Sequence, residues 1–340
     1  MIPQIGSGWR LRPRALRDVT KLNLATTVLG HPISLPICFS PTATQGLAHI
    51  EKEVASARAG KRCGTLMTLS ATSSTRIEKL RSEVPNGLFW MQTYLCADKR
   101  ATLSFIRRAE ENGYKALVVT VDSSGLGRQS ADFDFEEEMR KLKENPNLSI
   151  SFRAVNYDND FTETNPDDKL LFDYATEQIN GSNSSLEELK WLRSVTSLPI
   201  ILKGILKANV AKRAVQEGVA DGILVSAHGG RQLDGVPAPI DVLRDVVDAV
   251  RGYNVEVYMD GGIRTGTDVM KALALGAKAV FIGRAVLWGL AVNGEEGVYR
   301  VVNLLKEELS LAMKLCGVSR VEDISPSYLI HESSYLSANL

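Results

Sequence analysis

The side chains in this sequence best suited to chemistry fall directly after short apolar runs. Thr120-Val121-Asp122 ends one such run and Lys203-Gly204 a second, while Ser226-Ala227-His228-Gly229-Gly230-Arg231-Gln232-Leu233-Asp234 follows a third. Asp260-Gly261-Gly262-Ile263-Arg264 and Gly283-Arg284 close two more. These residue types complement one another. An imidazole can take a proton near neutral pH, and a carboxylate can orient it and stabilise its charged form. A guanidinium grips a carboxylate or a phosphate through two parallel hydrogen bonds. A glycine-rich turn lets backbone N–H groups approach an anion, so Gly261 to Arg264 with Arg284 favour a phosphate. Taken singly, each feature has a plainer reading. His228 could be a structural or surface histidine, Lys203 could lay its stem on apolar surface with its ammonium in water, and the glycines could be turn chemistry. All of these groups following strands at one end of a fold is harder to ascribe to packing alone.

The runs that precede them set the architecture. They are Pro36–Ser40, Thr65–Leu69, Phe89–Gln92, Ala116–Val121, Pro199–Leu202, Gly222–Ser226, Val255–Met259 and Ala279–Ile282. Their apolar character is nearly continuous rather than alternating, as in strands buried on both faces. Helical patterning fills gaps at Ile50 to Lys61, Ala97 to Asn112, Val210 to Gln216 and Asp241 to Val250, and Ser185-Leu186-Glu187-Glu188 has the look of a capping box. Eight β-then-α units predict an α/β fold, a (β/α)8 TIM barrel, with a doubly wound open sheet as the alternative. In a barrel the C-terminal ends of the strands build the active site, and the loops after the seventh and eighth strands commonly bind phosphate. The stretch from Val121 to Leu198 is too long for one crossover. Residues 125–184 therefore read as an insertion after the fourth strand, its first part a lid or a surface excursion, within a single domain spanning 1–340.

Composition narrows the function classes. The chain has 340 residues, 44% of them hydrophobic, enough for a substantial core. Lys+Arg 40 against Asp+Glu 40 leaves none of the basic surplus usual in a nucleic-acid binder. Cys38, Cys63, Cys96 and Cys316 are scattered, which suits a reducing compartment and argues against a disulfide framework or a zinc site. No uncharged apolar run approaches the roughly 20 residues of a membrane span, and the N-terminus lacks an apolar signal core, so a soluble protein is expected. Ala338-Asn339-Leu340 ends in Leu as the peroxisomal address does, without its basic middle residue.

The segments SPTATQGLAH, TVDSSGLGR, SLPIILKG, SAHGGRQLDG and DGGIRTGTDVMKALALGAKAVFIGR occur in that order between about Leu11 and about Ile324. Together they resemble the FMN-dependent 2-hydroxy acid oxidase family, which includes glycolate oxidase and the animal peroxisomal enzymes. The resemblance implies FMN as cofactor, a small (S)-2-hydroxy acid as substrate, and oxygen as acceptor, giving a 2-oxo acid and hydrogen peroxide. It implies His228 as the base, Asp122 as its orienting acid, and Lys203 beside the flavin edge where negative charge gathers on reduction. Arg231 would hold the substrate carboxylate and Tyr94 would hydrogen-bond the substrate. Pro41, Thr42 and Ala43 would line one side of the flavin, with Ser70, Gln92, Thr120 and Ser226 making polar contacts to ring or ribityl. Asp260, Gly261, Gly262, Ile263, Arg264, Gly283 and Arg284 would cradle ribityl and phosphate. The family's tetrameric habit implies a homo-oligomer, and its membership a peroxisomal or otherwise cytoplasmic location.

The chain departs from the family pattern at the substrate. No tyrosine precedes Leu11, and the second substrate-side arginine of the family falls on Gln129, next to Arg128. A Ser-Trp pair after the second strand reads Ala71-Thr72, or is deleted; a family tyrosine is Cys96 and a family asparagine Ala227. Loss of one carboxylate partner is expected to cost about 2–3 kcal/mol, roughly 30- to 150-fold in kcat/KM. The competing expectations are an FMN-binding relative with impaired turnover, a dehydrogenase serving a quinone or protein acceptor, and a phosphate-binding lyase.

Overall fold

The apolar runs become strands. In the computed structural model, which describes residues 8–123, 154–157 and 168–336 (side chains of 168–173 and 335–336 excepted), they are β4 (Ile37–Phe39), β5 (Leu66–Leu69), β6 (Leu88–Thr93), β7 (Leu117–Thr120), β8 (Ile200–Ile205), β9 (Gly222–Val225), β10 (Glu256–Asp260) and β11 (Val280–Ile282). Each pairs in parallel with the next, and β11 returns to β4 through Val280↔Ile37 and Phe281↔Cys38, so the sheet has no edge. Closure excludes the doubly wound alternative. Helices cover the outside, among them Lys52–Cys63, Lys99–Glu111, Leu186–Val195, Ala208–Gln216, Pro239–Ala249 and Gly266–Ala274. The Ser185 hydroxyl caps its helix by accepting from Glu188 N at 3.4 Å.

Strand side chains alternate between the two faces of the sheet. One face packs on the helices in a large outer core. The other fills the barrel, where Cys38, Leu66, Trp90, Val118, Ile201, Leu224, Tyr258 and Phe281, one from each strand, form a separate inner cluster. Trp90 lies 5.7 Å from Phe281 and 5.5 Å from Tyr258, centroid to centroid. The N-terminal mouth is plugged by a hairpin of β2 (Thr26–Val28) and β3 (His31–Ile33), whose Val28 and Ile33 join the inner cluster. Glu256 Oε2 accepts from Leu29 N at 2.9 Å and from the Tyr258 hydroxyl at 2.5 Å, tying the plug to the barrel. A further pair, β1 (Trp9–Leu11) with β12 (Leu329–His331), joins the two ends of the described chain.

The first part of the insertion, where a lid was expected, lies outside the described residues. Its last part carries a helix, Asp168–Asn180, whose Ala175 and Ile179 are buried and whose Gln178 accepts from Asp98 N at 2.7 Å. Ala154, Asn156 and Tyr157 are buried as well, the Tyr157 ring packing edge-on to Phe105.

The helical run Arg284–Cys316 breaks at Asn293 and Gly294, and its two arms touch backbone to backbone. A Cβ on Gly297 would sit 1.9 Å from the carbonyl oxygen of Gly289. Gly297→Ala is therefore expected to lower stability by roughly 1–3 kcal/mol. The check is a lower urea midpoint at unchanged slope; an unchanged midpoint would mean the arms are not in contact.

Candidate active site

At the C-terminal end of the barrel the inward positions change character. Continuing inward along each strand, the side chains are Ser40, Ser70, Gln92, Thr120, Lys203, Ser226 and Asp260, all buried, with Gly283 on the eighth strand. They form a connected floor. Gln92 donates through Nε2 to Thr120 Oγ1 at 3.1 Å and accepts at Oε1 from Ser70 Oγ at 3.3 Å and Ala71 N at 3.1 Å. Ser40 Oγ donates to Asp260 Oδ2 at 3.1 Å. Lys203 Nζ is 3.8 Å from that same oxygen, longer than a hydrogen bond. A charged lysine and aspartate this deeply buried are costly unless hydrogen-bonded and paired, yet Asp260 Oδ1 has no partner among the described residues. Sequence reading missed Ser40 as a site residue, although it stands two places beyond the inward Cys38.

Over this floor stands a pair from different strands. His228 Nδ1 meets Asp122 Oδ1 at 2.8 Å, both side chains partly buried. The imidazole owes its position to an unusual backbone: His228, Gly229 and Gly230 all have positive φ, at 52°, 68° and 74°. For a residue with a Cβ that conformation costs roughly 1–2 kcal/mol. It is held by His228 N donating to Ser226 Oγ at 3.1 Å and by Arg284 Nη2 donating to Gly229 O at 2.6 Å. Asp122 needs a glycine beside it, since a Cβ on Gly204 (φ +108°) would lie 2.5 Å from the Asp122 side chain. The ladder register shifts between Lys203 and Ile205 at this same point, where β8 makes room.

Tyr94, nearly closed off from solvent, completes the group. Burial pushes its phenol up to about 12; the Asp122 carboxylate adds to the rise, while Arg231 and a Gln92 hydrogen bond oppose it. His228, Asp122, Lys203, Tyr94 and the exposed Arg231 thus all stand at the C-terminal end of the barrel, His228 against Asp122 and Tyr94 within the influence of Asp122 and Arg231. Gln129 and Arg128 lie outside the described residues. Gln232 Nε2 donates to Ser123 Oγ at 3.0 Å, a link between the loops after β9 and β7 that the sequence did not disclose.

Beside the floor lies an anion cradle. Gly261 and Gly262 have φ of +83° and +76°, and the helix Gly266–Ala274 starts immediately beyond, with Thr265 and Asp268 in a reciprocal capping box. Arg264 and Arg284 are exposed there. Asp268 Oδ2 accepts from Arg264 N at 3.1 Å and from Thr265 N at 3.0 Å, fixing the turn. Pro41, Thr42 and Ala43 follow β4, the strand paired with β11, and a Cβ on Gly283 would reach Thr42 Cγ2 at 3.5 Å. A buried ammonium, an amide and hydroxyls on the floor, an unpartnered carboxylate oxygen, and a glycine turn flanked by guanidiniums fit a ring with a polar edge joined to a phosphate, which is what FMN presents.

The Tyr94 shift has a consequence for stability. The unfolded phenol releases its proton near its ordinary value of 10.0, the folded one near about 12, so between those values the unfolded chain holds fewer protons. The stabilisation is complete below the lower value and is lost as pH rises to the higher. Tyr94→Phe is expected to flatten that part of the fall in urea midpoint; identical slopes for the two proteins would place the phenol in water.

Comparison with known proteins agrees with this geometry. The sequence pattern of FMN-dependent dehydrogenases matches residues 7–331. The 2-hydroxyacid oxidase 1 of Mus musculus is 47% identical, the match covering 94% of this chain and 85% of that protein. A peroxisomal (S)-2-hydroxyacid oxidase of Arabidopsis thaliana is 42% identical over 97% of this chain and 87% of its own. Among solved structures, mandelate oxidase with (S)-2-phenylpropionate superposes with a TM-score of 0.79 at 36% identity, covering 96% of this chain and 87% of the other. The chain belongs to the FMN-dependent dehydrogenase family and is an FMN-dependent oxidoreductase of 2-hydroxy acids.

Proposed function

We propose that the enzyme oxidises an (S)-2-hydroxy acid to the 2-oxo acid at the mouth of this floor, with oxygen as final acceptor and hydrogen peroxide as second product. The observation that carries the reading is the 2.8 Å contact between His228 Nδ1 and Asp122 Oδ1 beside a buried Lys203. With Nδ1 engaged by a carboxylate, Nε2 is the nitrogen left to take a proton from substrate, and Asp122 stabilises the imidazolium that results. Arg231, exposed at the rim, takes the substrate carboxylate and so fixes the reacting carbon. Tyr94 stays protonated through the physiological range and donates to the substrate.

Bound FMN would supply the two-electron acceptor between substrate and oxygen. Lys203, Ser70, Gln92, Thr120 and Ser226 would hold its ring and ribityl. Pro41, Thr42 and Ala43 would line one side; Asp260, Gly261, Gly262, Ile263, Arg264, Gly283 and Arg284 would hold ribityl and phosphate. Per turnover the substrate gives up two electrons and two protons, and oxygen takes up both. Gln129 adds a neutral hydrogen bond where the family carries a second arginine.

Residues 1–340 act as one domain. The end of the 125–184 insertion returns to the site, where Ser182 Oγ donates to Ser123 O at 3.0 Å. Whether Ala71-Thr72 replaces the family's Ser-Trp pair or that pair is deleted, no tryptophan stands beside the buried Ala71 and half-buried Thr72, which favours longer or aromatic acids. The likeness to mandelate oxidase supports that choice. A homo-oligomer agrees with the exposed Ile50, Trp288 and Val292. A peroxisomal location accords with the likeness to the peroxisomal enzyme of Arabidopsis.

Two experiments test the reading. Anaerobic addition of a panel from glycolate to long-chain and aromatic 2-hydroxy acids should bleach the flavin, fastest with the larger acids. Fastest bleaching by glycolate would contradict the wide pocket, and no bleaching by any member would leave an FMN-binding protein without turnover. Asp122→Asn should lower kcat by at least about 100-fold with FMN retained, the size of effect expected when a base loses its orienting partner; an unchanged kcat would mean that the Asp122–His228 pair does not drive the reaction.

A further inference from the structure

We infer that Glu53 is a positioning residue for this site: its carboxylate fixes the loop after β4, which carries Pro41 to Ala43, against the loop after β5, which carries Ala71 and Thr72. The inference rests on the reading of those loops as flavin wall and substrate wall.

Glu53 lies in the first turn of the helix Lys52–Cys63 and is 0% exposed. Among the described residues no cation pairs with it. It is instead satisfied by neutral donors from both loops. Oε1 accepts from Gln45 N at 3.0 Å and from Ser74 N at 2.8 Å, and Oε2 accepts from Thr75 Oγ1 at 2.6 Å. A carboxylate buried without a counter-ion persists only where such donors surround it. An apolar side chain in its place would leave two backbone N–H groups unpaired inside the protein, so the clamp is not interchangeable with ordinary packing.

The clamp is extended on both sides. Gly46 N donates to Ser74 Oγ at 3.2 Å, and Thr44 N to Thr72 O at 3.2 Å, stitching loop to loop. Ser56 Oγ donates to Gln45 Oε1 at 2.6 Å, and Gln45 Nε2 donates to Thr42 Oγ1 at 2.8 Å, so the placement is relayed to the flavin wall itself. From the insertion, Asn156 Nδ2 donates to Ser73 Oγ at 2.8 Å and to Thr75 O at 3.1 Å, while its Oδ1 accepts from Ile77 N at 3.0 Å. The second loop is thus gripped from both faces. With no bulky aromatic at Ala71-Thr72, the wall stands where these hydrogen bonds put it.

The pattern separates geometry from charge. Both backbone donors fall on one oxygen, so a glutamine can keep them through its amide oxygen and turn its NH2 to the Thr75 hydroxyl, which accepts as readily as it donates. Four proteins are compared: wild type, Glu53→Gln, Glu53→Ala and Ser74→Ala, the last removing only the Gly46 stitch. For each, FMN affinity is measured by quenching of flavin fluorescence on addition of apoprotein. The apoprotein melting temperature, the visible circular dichroism of bound flavin, and KM and kcat with one 2-hydroxy acid complete the set. Glu53→Gln should stay within about twofold of wild type in FMN Kd. Glu53→Ala should weaken FMN binding by about tenfold or more, change the flavin dichroism and raise KM. Ser74→Ala should shift all three in the same direction by about threefold, and it decides the matter if Glu53→Ala does not fold. Lower melting temperatures with Kd, KM and dichroism unchanged would make Glu53 merely structural and overturn the inference. A wild-type protein that takes up no FMN would overturn the reading of the site as well.

Discussion

The site exists because closing a parallel sheet points every second side chain of all eight strands at one axis. On each strand the inward series begins apolar and turns polar or to glycine at its C-terminal end. The lower part is a packed core, with Trp90, Tyr258 and Phe281 filling the centre. The upper part is a floor of hydrogen-bonding groups that no single strand could assemble. Shift one strand by a residue and its polar end residue would turn outward to the helices while an outer-face residue entered the barrel. The same register therefore serves both stability and chemistry.

On that floor the protein concentrates its least comfortable features. A buried ammonium and carboxylate stand 3.8 Å apart, one oxygen of Asp260 and one of Asp122 lack partners among the described residues, and a histidine occupies left-handed backbone. Groups held in such states cluster where a ligand or a reaction uses them. Each is held by rigid neighbours: Gly204 admits Asp122 closely, Ser226 anchors the His228 amide, and Arg284 holds the Gly229 carbonyl. The loops after the strands, which carry Tyr94, Asp122, His228 and Arg231, are tied back to the rigid barrel; at Pro41 to Ala43 and Ala71-Thr72 a buried glutamate and the insertion's Asn156 hold them.

Much of this was legible in the sequence. Strands buried on both faces read as continuous apolar runs, so seven of the eight could be placed to within a residue; the fifth runs on to Ile205, three residues beyond its apolar run, because Lys203 and Gly204 break the pattern. The sequence named both partners of the His228–Asp122 contact. What stayed hidden depends on partners distant in the chain. Glu53 reads as one more charge on an amphipathic helix, and only the fold shows Ser74 and Thr75 meeting it. Asn156 sits in a polar stretch that gives no sign of burial. The plug strands, three residues each, are too short to show a period. The helix Asp168–Asn180 was absorbed into a long insertion because a charged, polar segment precedes it. Ser40 could have been found from parity alone, being two residues beyond an inward cysteine.

The most direct measurement of the central claim is a crystal structure of the enzyme loaded with FMN and a 2-oxo acid. Lys203 Nζ should lie about 3 Å from the polar edge of the ring, with the His228 imidazole and the Arg231 guanidinium meeting the acid over one face of it. A flavin seated away from the Ser40-to-Asp260 floor, or a structure in which His228 and Lys203 face separate cavities, would contradict it.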